Sequence, residues 1–338
     1  MQKLFIISNE SVHEENGSFY CDNIDIKSTP EGLNRNFEVN LVARKSKIKR
    51  SHKINVEKIK IFSSIFFFLK EIISSFKTDN TKYIIISLSP FTFMSCLVIK
   101  LFGRKPIIYF RSNGFDEYKI ILGSLGYIIY YLMFNISTTI SKNIACRKYI
   151  LRNKKGFVIQ PSQLNDKWFE NQKDSGDIGK KLLYVGRIRK EKGIFSLIDI
   201  IKDKSNIELT IVGEEEKKID RKIYKNINFF KVVNDQAKLI KIYDEHKIFI
   251  LPSFTEGEPM ALLESLSRLK PVIIFQEIEH VIQKRAGIFI AKRNYDSLDQ
   301  TINHILKNYE GIKEMMKKNK LPTNANFIKD LSKIILDN

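Results

Sequence analysis

The sequence predicts an α/β architecture of two doubly wound domains, on three observations. The 338 residues exceed one ordinary core and fit two domains of about 150 residues each. Apolar runs alternate with helical patterns, as in a parallel sheet covered on both faces. The alternation weakens once, between Pro161 and Lys180, where Asn165, Asp166, Gln172, Ser175 and Gly179 mark a polar linker. The expected division is a first domain over 1–165, a linker over 166–180 and a second domain over 181–322. A last helix over 323–338 is expected to cross back onto the first domain.

In the first half, Leu4 to Ser8 is strand-like. Ser28, Thr29, Pro30 and Glu31 read as a helix start, with a hydroxyl cap, Pro in the first turn and an acid near the positive end. Phe37 to Ala43 returns as a strand, and Ile59 to Phe76 reads as a helix. Tyr83 to Leu88 is a strand, with Pro90 opening the next helix. Ile107 to Phe110 is a strand before a long uncharged stretch, and short strands near Ser137–Ile140 and Gly156–Ile159 close the set.

In the second half, strands are expected at Lys181–Val185, Glu208–Val212, Asn228–Val232, Lys247–Leu251 and Pro271–Phe275. Helices fall at about Gly193–Lys202, Gln236–His246, Met260–Leu269 and Ser297–Tyr309. Ligands of such sheets bind beyond the strand C-termini, so the strand-to-helix loops are where chemistry is expected.

Composition narrows the classes. Cys21, Cys96 and Cys146 are scattered and odd in number, which argues against a disulfide framework and for a reducing cytosol. The five histidines form no His-x-x-x-His pair, so no metal site is expected. Met1 to Ser8 reads as a strand rather than a signal peptide. Ile120 to Ser141 is uncharged and long enough to span a bilayer. Its Gly, Ser, Asn and Thr content favours a buried helix and following strand. The formal charge is +19, with a dense run at Arg44, Lys45, Lys47, Lys49, Arg50, Lys53, Lys58 and Lys60 opposed only by Glu57. Readings of that run are a solvated surface, an anionic membrane leaflet or, last, nucleic acid, for which no fold motif is present.

Two loops carry the chemical signal. In Leu183-Tyr184-Val185-Gly186-Arg187-Ile188-Arg189-Lys190-Glu191-Lys192-Gly193, a strand ends at a glycine and a basic loop leads to a helix. Arg187 and Lys192, beside the N–H groups of a helix start, suit a diphosphate; ordinary surface charge is the plainer alternative. In Leu251-Pro252-Ser253-Phe254-Thr255-Glu256-Gly257-Glu258-Pro259-Met260-Ala261-Leu262-Leu263-Glu264, a buried strand gives way to a tight loop and a helix. Glu256 is expected to project, exposed, from that loop. Glu264 leans back toward the helix mouth. Two carboxylates there suit sugar hydroxyls.

Gly186-Arg187, Lys190-Glu191-Lys192-Gly193, Ile211-Val212-Gly213, Pro252-Ser253, Glu256-x7-Glu264 and Pro271-Val272 resemble, in order and spacing, the family 4 glycosyltransferases. The resemblance covers about 181–310; the first half shares mainly the element order. It implies a GT-B fold, two Rossmann-like domains facing across a cleft, and retaining transfer from a nucleotide-sugar. It implies Arg187 and Lys192 on the diphosphate, Glu256 on the donor sugar and Glu264 on the ribose. Gly186, Gly257 and the backbone of Met260, Ala261 and Leu262 complete the expected donor site. Glu256, Arg187 and Lys192 would carry catalysis. No Asp-x-Asp motif is present, and no metal cofactor is expected.

Departures mark the first half. The Gly-Gly turn usual after the first strand is replaced by Ser8-Asn9-Glu10. Where the family often has His, this chain has Tyr109-Phe110-Arg111-Ser112-Asn113-Gly114. Asn9, Arg111 and Asn113 are the candidate acceptor-side residues, with a capped loop as the alternative.

The expected partners are a nucleotide-sugar, a glycan or lipid-linked glycan acceptor in surface polysaccharide synthesis, and an anionic membrane surface on its cytoplasmic side. The alternatives are a non-catalytic GT-B partner subunit, a sugar-nucleotide epimerase and, last, a polyanion binder.

Overall fold

Parallel strands covered on both faces need near-continuous apolar sequence, and the central strands of this chain have it: Tyr83–Ile86, Pro106–Phe110, Ile248–Leu251 and Val272–Phe275 are buried throughout. The computed structural model describes residues 1–173, 176, 179–213 and 224–338. They form two units, Met1–Gln163 with Thr323–Asn338, and Leu164–Pro322.

The first unit runs β1 (Gln2–Glu15), β2 (Ser18–Cys21), α1 (Ile24–Leu33), β3 (Phe37–Lys45), β4 (His52–Ile54), β5 (Lys58–Phe62), α2 (Ile65–Ser74), β6 (Lys82–Ile86), α3 (Pro90–Leu101), β7 (Pro106–Phe110), α4 (Gly114–Ile140), β8 (Lys142–Ala145) and β9 (Phe157–Val158). Its parallel strands lie in the order β5-β3-β1-β6-β7-β8-β9. The order reverses direction between β1 and β6, which sets a switch point there. The far end of β1 forms an antiparallel ribbon with β2 and β4.

Several sequence expectations are corrected here. No turn follows Ser8, because β1 continues to Glu15 with an irregular register between Ile7 and Ser11. It turns instead at Asn16-Gly17, both at positive φ, as a tight hairpin requires. Helix α1 starts at Ile24, not at Ser28. Its cap is Asn23, whose side chain accepts the Asp25 N–H at 3.2 Å, and Pro30 sits inside the helix. The segment 59–76 is not one helix. Ile59 and Ile61 belong to β5, which pairs in register with β3, and Ser64 caps α2. No strand occupies 137–140, since α4 runs to Ile140 before β8 begins. The Ser89–Thr92 capping box and Pro90 start α3 where expected.

The second unit holds β10 (Lys181–Val185), α5 (Ile194–Ile201), β11 (Glu208–Val212), β12 (Ile227–Phe230), α6 (Gln236–Asp244), β13 (Ile248–Leu251), α7 (Met260–Ser267), β14 (Val272–Phe275), β15 (Ile288–Ala291), α8 (Tyr295–Lys307) and α9 (Tyr309–Met316). Among the described residues its sheet order is β12-β11-β10-β13-β14-β15, all parallel. The reversal falls between β10 and β13, so the loops after these two strands flank the ligand position of a Rossmann-type sheet.

Residues 166–173, read as linker, pack on this unit. Trp168 is buried in its core, and the carbonyls of Trp168, Glu170 and Asn171 accept from Arg268 at 3.1, 2.6 and 2.9 Å. Residues 174, 175, 177 and 178 of that stretch lie outside the described residues. The final helix, α10 (Asn324–Leu336), belongs to the first unit. Phe327 meets Tyr109, and Ser332 accepts from Asn36 at 3.0 Å.

Candidate functional site

The two signal-bearing loops leave adjacent strands at the switch point of the second sheet, so topology alone makes them neighbours. Three contacts lock them. The Phe254 N–H donates to the Glu191 carbonyl at 3.0 Å. Gly193 sits at φ +66, and a Cβ there would lie 1.9 Å from the Pro252 carbonyl oxygen. Only glycine tolerates both conditions. Lys192 Nζ donates to Glu256 Oε1 at 2.7 Å, and Ser253 Oγ donates to the same oxygen at 2.6 Å.

Glu256 is therefore buried, contrary to the exposed position expected from the sequence. Polar burial of this kind requires partners, and Lys192 and Ser253 supply them. Arg187 is half-buried, and its carbonyl accepts the Tyr184 hydroxyl at 2.7 Å. Its guanidinium has no hydrogen bond or ion pair among the described residues. Gly186 closes against the next strand, where its N–H donates to Val212 at 3.0 Å.

Helix α7 begins at Met260 after Pro259, with no side-chain cap at its N-terminus among the described residues. The N–H groups of Met260, Ala261 and Leu262 are in the first turn, where helix geometry gives them no intrahelical acceptor. Glu264, one turn in, accepts from the Tyr243 hydroxyl at 2.8 Å. Burial pushes its carboxyl up to about 7, against an ordinary 4.5, and the Tyr243 hydrogen bond opposes that rise only in part.

Sequence reasoning missed three residues that hold this loop. His280 donates to the Glu256 carbonyl at 2.9 Å. Arg285 pairs with Glu258 at 2.6 Å, with both side chains buried. Arg293 donates to the Pro252 carbonyl at 3.0 Å and lies over the rings of Phe254 and Phe275. All three follow β14 or β15; no strand was expected at β15, and none of the three has its partner nearby in sequence. A surface hollow of about 750 Å³, lined by Lys247, Phe289, His304, Tyr309 and Met315 among others, includes none of these loop residues. Among the described residues no three His, Cys, Asp or Glu side chains are grouped to hold a metal ion.

In the first unit, Arg111 follows β7 and forms an ion pair with Asp25. Gln163 donates to Asp25 at 2.7 Å, and Cys146 donates through Sγ to the Arg111 carbonyl at 3.0 Å. Asn23, which caps α1, contacts both Arg111 and Glu10 at 3.4 Å. Arg111 and Cys146 stand just past the C-terminal ends of β7 and β8, Asn23 and Asp25 at the start of α1, and Glu10 within β1. Asp25 and Asn23 were not singled out from the sequence, because the misplaced start of α1 hid them, and Glu10 entered only as part of Ser8-Asn9-Glu10. Asn113 is spent on Asp116, as a loop residue would be. Asn9 stands beside the cluster in sequence, and its Oδ1 is buried without a hydrogen bond among the described residues.

Two Rossmann-type units in one chain, the second with cations and carboxylates at its switch point, define the GT-B class of glycosyltransferase fold. Residues 165–321, most of the second unit, match the family model described as glycosyl transferases group 1, and the family 4 resemblance is compatible with that match. The capsular polysaccharide biosynthesis glycosyltransferase CapM of Staphylococcus aureus is 28% identical over 173 residues, 47% of this chain and 43% of that protein. The chain spans about half the length of the curated relatives it matches. Among solved structures, WaaG, a glycosyltransferase involved in lipopolysaccharide biosynthesis, aligns with a TM-score of 0.66 at 12% identity, covering 99% of this chain and 100% of that one. Anabaena HepE in complex with UDP and glucose aligns with a TM-score of 0.67 at 11% identity, covering 99% and 95%. At these identities the structural likeness establishes the fold.

Proposed function

We propose that this chain is a retaining glycosyltransferase that moves a sugar from a nucleotide-sugar to an acceptor hydroxyl in surface polysaccharide synthesis. The observation that carries this reading is the Lys192–Glu256 contact of 2.7 Å, placed between β10 and β13 and beside the uncapped start of α7. A diphosphate leaving group gains negative charge as the glycosidic bond breaks. Fixed cations at that position stabilise the transition state more than the ground state. Lys192 and Arg187 take that role, with the first-turn N–H groups of α7 adding to it. Glu256, oriented by Lys192 and Ser253, accepts from donor-sugar hydroxyls, and Glu264 from the ribose. No metal is assigned a part. The acceptor is assigned to the first unit, at the Arg111–Asp25 cluster.

The HepE complex with UDP and glucose supports a nucleotide-sugar donor, and the CapM relative supports a polysaccharide product. The test is thermal stability of the full chain against UDP-, GDP-, ADP- and CMP-linked sugars. A ligand at about a hundred times its dissociation constant adds about 2.7 kcal/mol. A shift with one nucleotide family that Arg187→Ala removes is the expected result. No shift with any of them would overturn the donor assignment. Retention is read separately from the anomeric configuration of the product.

A further inference from the structure

Helix α4 exposes the side of itself that water favours least. Residues 120–140 contain no Lys, Arg, Asp or Glu. Tyr130, Met133, Phe134, Ser137 and Thr138 are buried, and Tyr130 and Phe134 meet Phe115 edge to face. On the opposite side Leu125, Ile128, Leu132 and Ile136 are 64%, 54%, 56% and 45% exposed. Their spacing of three and four residues makes one continuous stripe. Ile121 and Leu122 extend it across the non-helical Gly123. Helix α3 packs against both α4 and α2, and these neighbours add exposed Leu101 and Met94, and Phe66 and Phe67. An exposed apolar stripe of this kind marks an interaction surface.

The charges at its margin identify the occupant. Exposed Lys100 and Lys105 flank the end of α3, and exposed Lys119 stands on α4. Exposed Arg152 donates to the Tyr127 hydroxyl at 3.0 Å on the same helix. The acids of α4, Asp116 and Glu117, are confined to its first turn. An apolar stripe edged by cations matches a lipid surface whose phosphates lie level with the rim. A second copy of the chain would bring like charges together around the same face. Spanning would strip Tyr130 and Phe134 from their core.

We propose that α4, with α2 and α3 beside it, lies in the surface of an anionic lipid monolayer. In the basic run at 44–60, half of the cations are engaged instead with neighbouring carboxylates, Lys49, Arg50, Lys58 and Lys60 with Glu15, Asp22, Glu38 and Glu71. The inference does not rest on sugar transfer, and its test measures none. The full chain is floated with vesicles of phosphatidylglycerol and phosphatidylethanolamine, and with vesicles of phosphatidylcholine alone. Preferential binding to the first is expected. Leu125→Gln/Ile128→Gln/Leu132→Gln, changed at exposed positions, is expected to weaken it by about tenfold or more while circular dichroism and melting stay as in the parent. Lys100→Gln/Lys119→Gln is expected to remove the lipid preference. Unchanged binding by both variants would overturn the proposal. So would a parent dimer that the triple variant makes monomeric, since a second copy would then cover the stripe. Membrane-bound chain that resists alkaline extraction would also overturn it, in favour of a span.

Discussion

Lys192 Nζ donates to Glu256 Oε1 at 2.7 Å although the two residues are 64 positions apart. The pair joins the loop that follows β10 to the loop that follows β13. Glu256→Gln keeps the shape and the Ser253 contact but loses the charge that orients Lys192. It is expected to lower transfer by about a hundredfold or more, with a folded circular dichroism spectrum. Lys192→Met is expected to do the same while leaving Glu256 buried without its cation. Parent-level turnover by Glu256→Gln would remove that residue from the chemistry.

Gly193→Ala tests the loop junction without touching a charged group. The left-handed backbone costs an alanine about 1–2 kcal/mol, and its Cβ would meet the Pro252 carbonyl oxygen at 1.9 Å. The expected result is a lower melting temperature together with weakened nucleotide binding. Parent-like values for both would mean that the two loops do not need this close approach.

Glu264 makes stability depend on pH. Its carboxyl titrates at about 7 in the folded chain and at an ordinary 4.5 otherwise. Between those values the folded state holds a proton that the unfolded state has released. Stability therefore falls as pH rises through this window, by about 3 kcal/mol in all. His246 acts oppositely. Burial pushes its imidazole down to about 4, so its contribution is lost as pH falls from its ordinary 6.5. The difference between parent and Glu264→Gln in urea unfolding isolates the glutamate. The variant is expected to gain on the parent from about pH 5 to about pH 8. Parallel curves would show that Glu264 ionises as an ordinary carboxylate.

Arg268→Leu is expected to cost about 3–5 kcal/mol, because it leaves a buried carboxylate uncompensated. Arg268 pairs with Asp244 through two bonds of 2.9 and 2.8 Å while holding the carbonyls of Trp168, Glu170 and Asn171. Urea unfolding measures the loss, and adding Asp244→Asn is expected to recover part of it. Equal losses in the single and double variants would rule out the charge explanation.

With Arg187 and Lys192 as the cations for the leaving diphosphate, transfer is expected to persist after exhaustive chelation. Loss of product on adding EDTA, restored by Mg²⁺ or Mn²⁺, would assign part of that stabilisation to a metal.

Much of the fold was legible because it depends on local patterns. Continuous apolar runs marked β6, β7, β13 and β14, and Pro90 marked the start of α3. Errors came where one local signal masked another. Thr29-Pro30 looked like a helix start, yet Asn23 had already capped α1. Ile59 and Ile61 fitted a helical face as well as a strand, and only pairing with β3 decided between them. The donor-side loops were legible because strand, glycine and charge coincide within a few residues. Arg285 and Arg293 were not, because their partners Glu258 and Pro252 lie far off in sequence.

Local patterns along the chain were enough to settle that there are two alternating α/β segments, where the central strands of each lie, and which loops bring Arg187, Lys192, Glu256 and Glu264 near strand ends. Hydrophobic period, capping residues and glycine positions act over a few neighbours, so a linear reading can recover them. Tertiary structure alone decided that Glu256 is buried against Lys192 and Ser253, that Glu264 meets Tyr243, and that Arg111 is tied to Asp25. It also decided which cations of the 44–60 run are paired and which face of α4 is left bare. Those outcomes depend on burial and on partners brought together by strand order, and neither is written into any short stretch of chain.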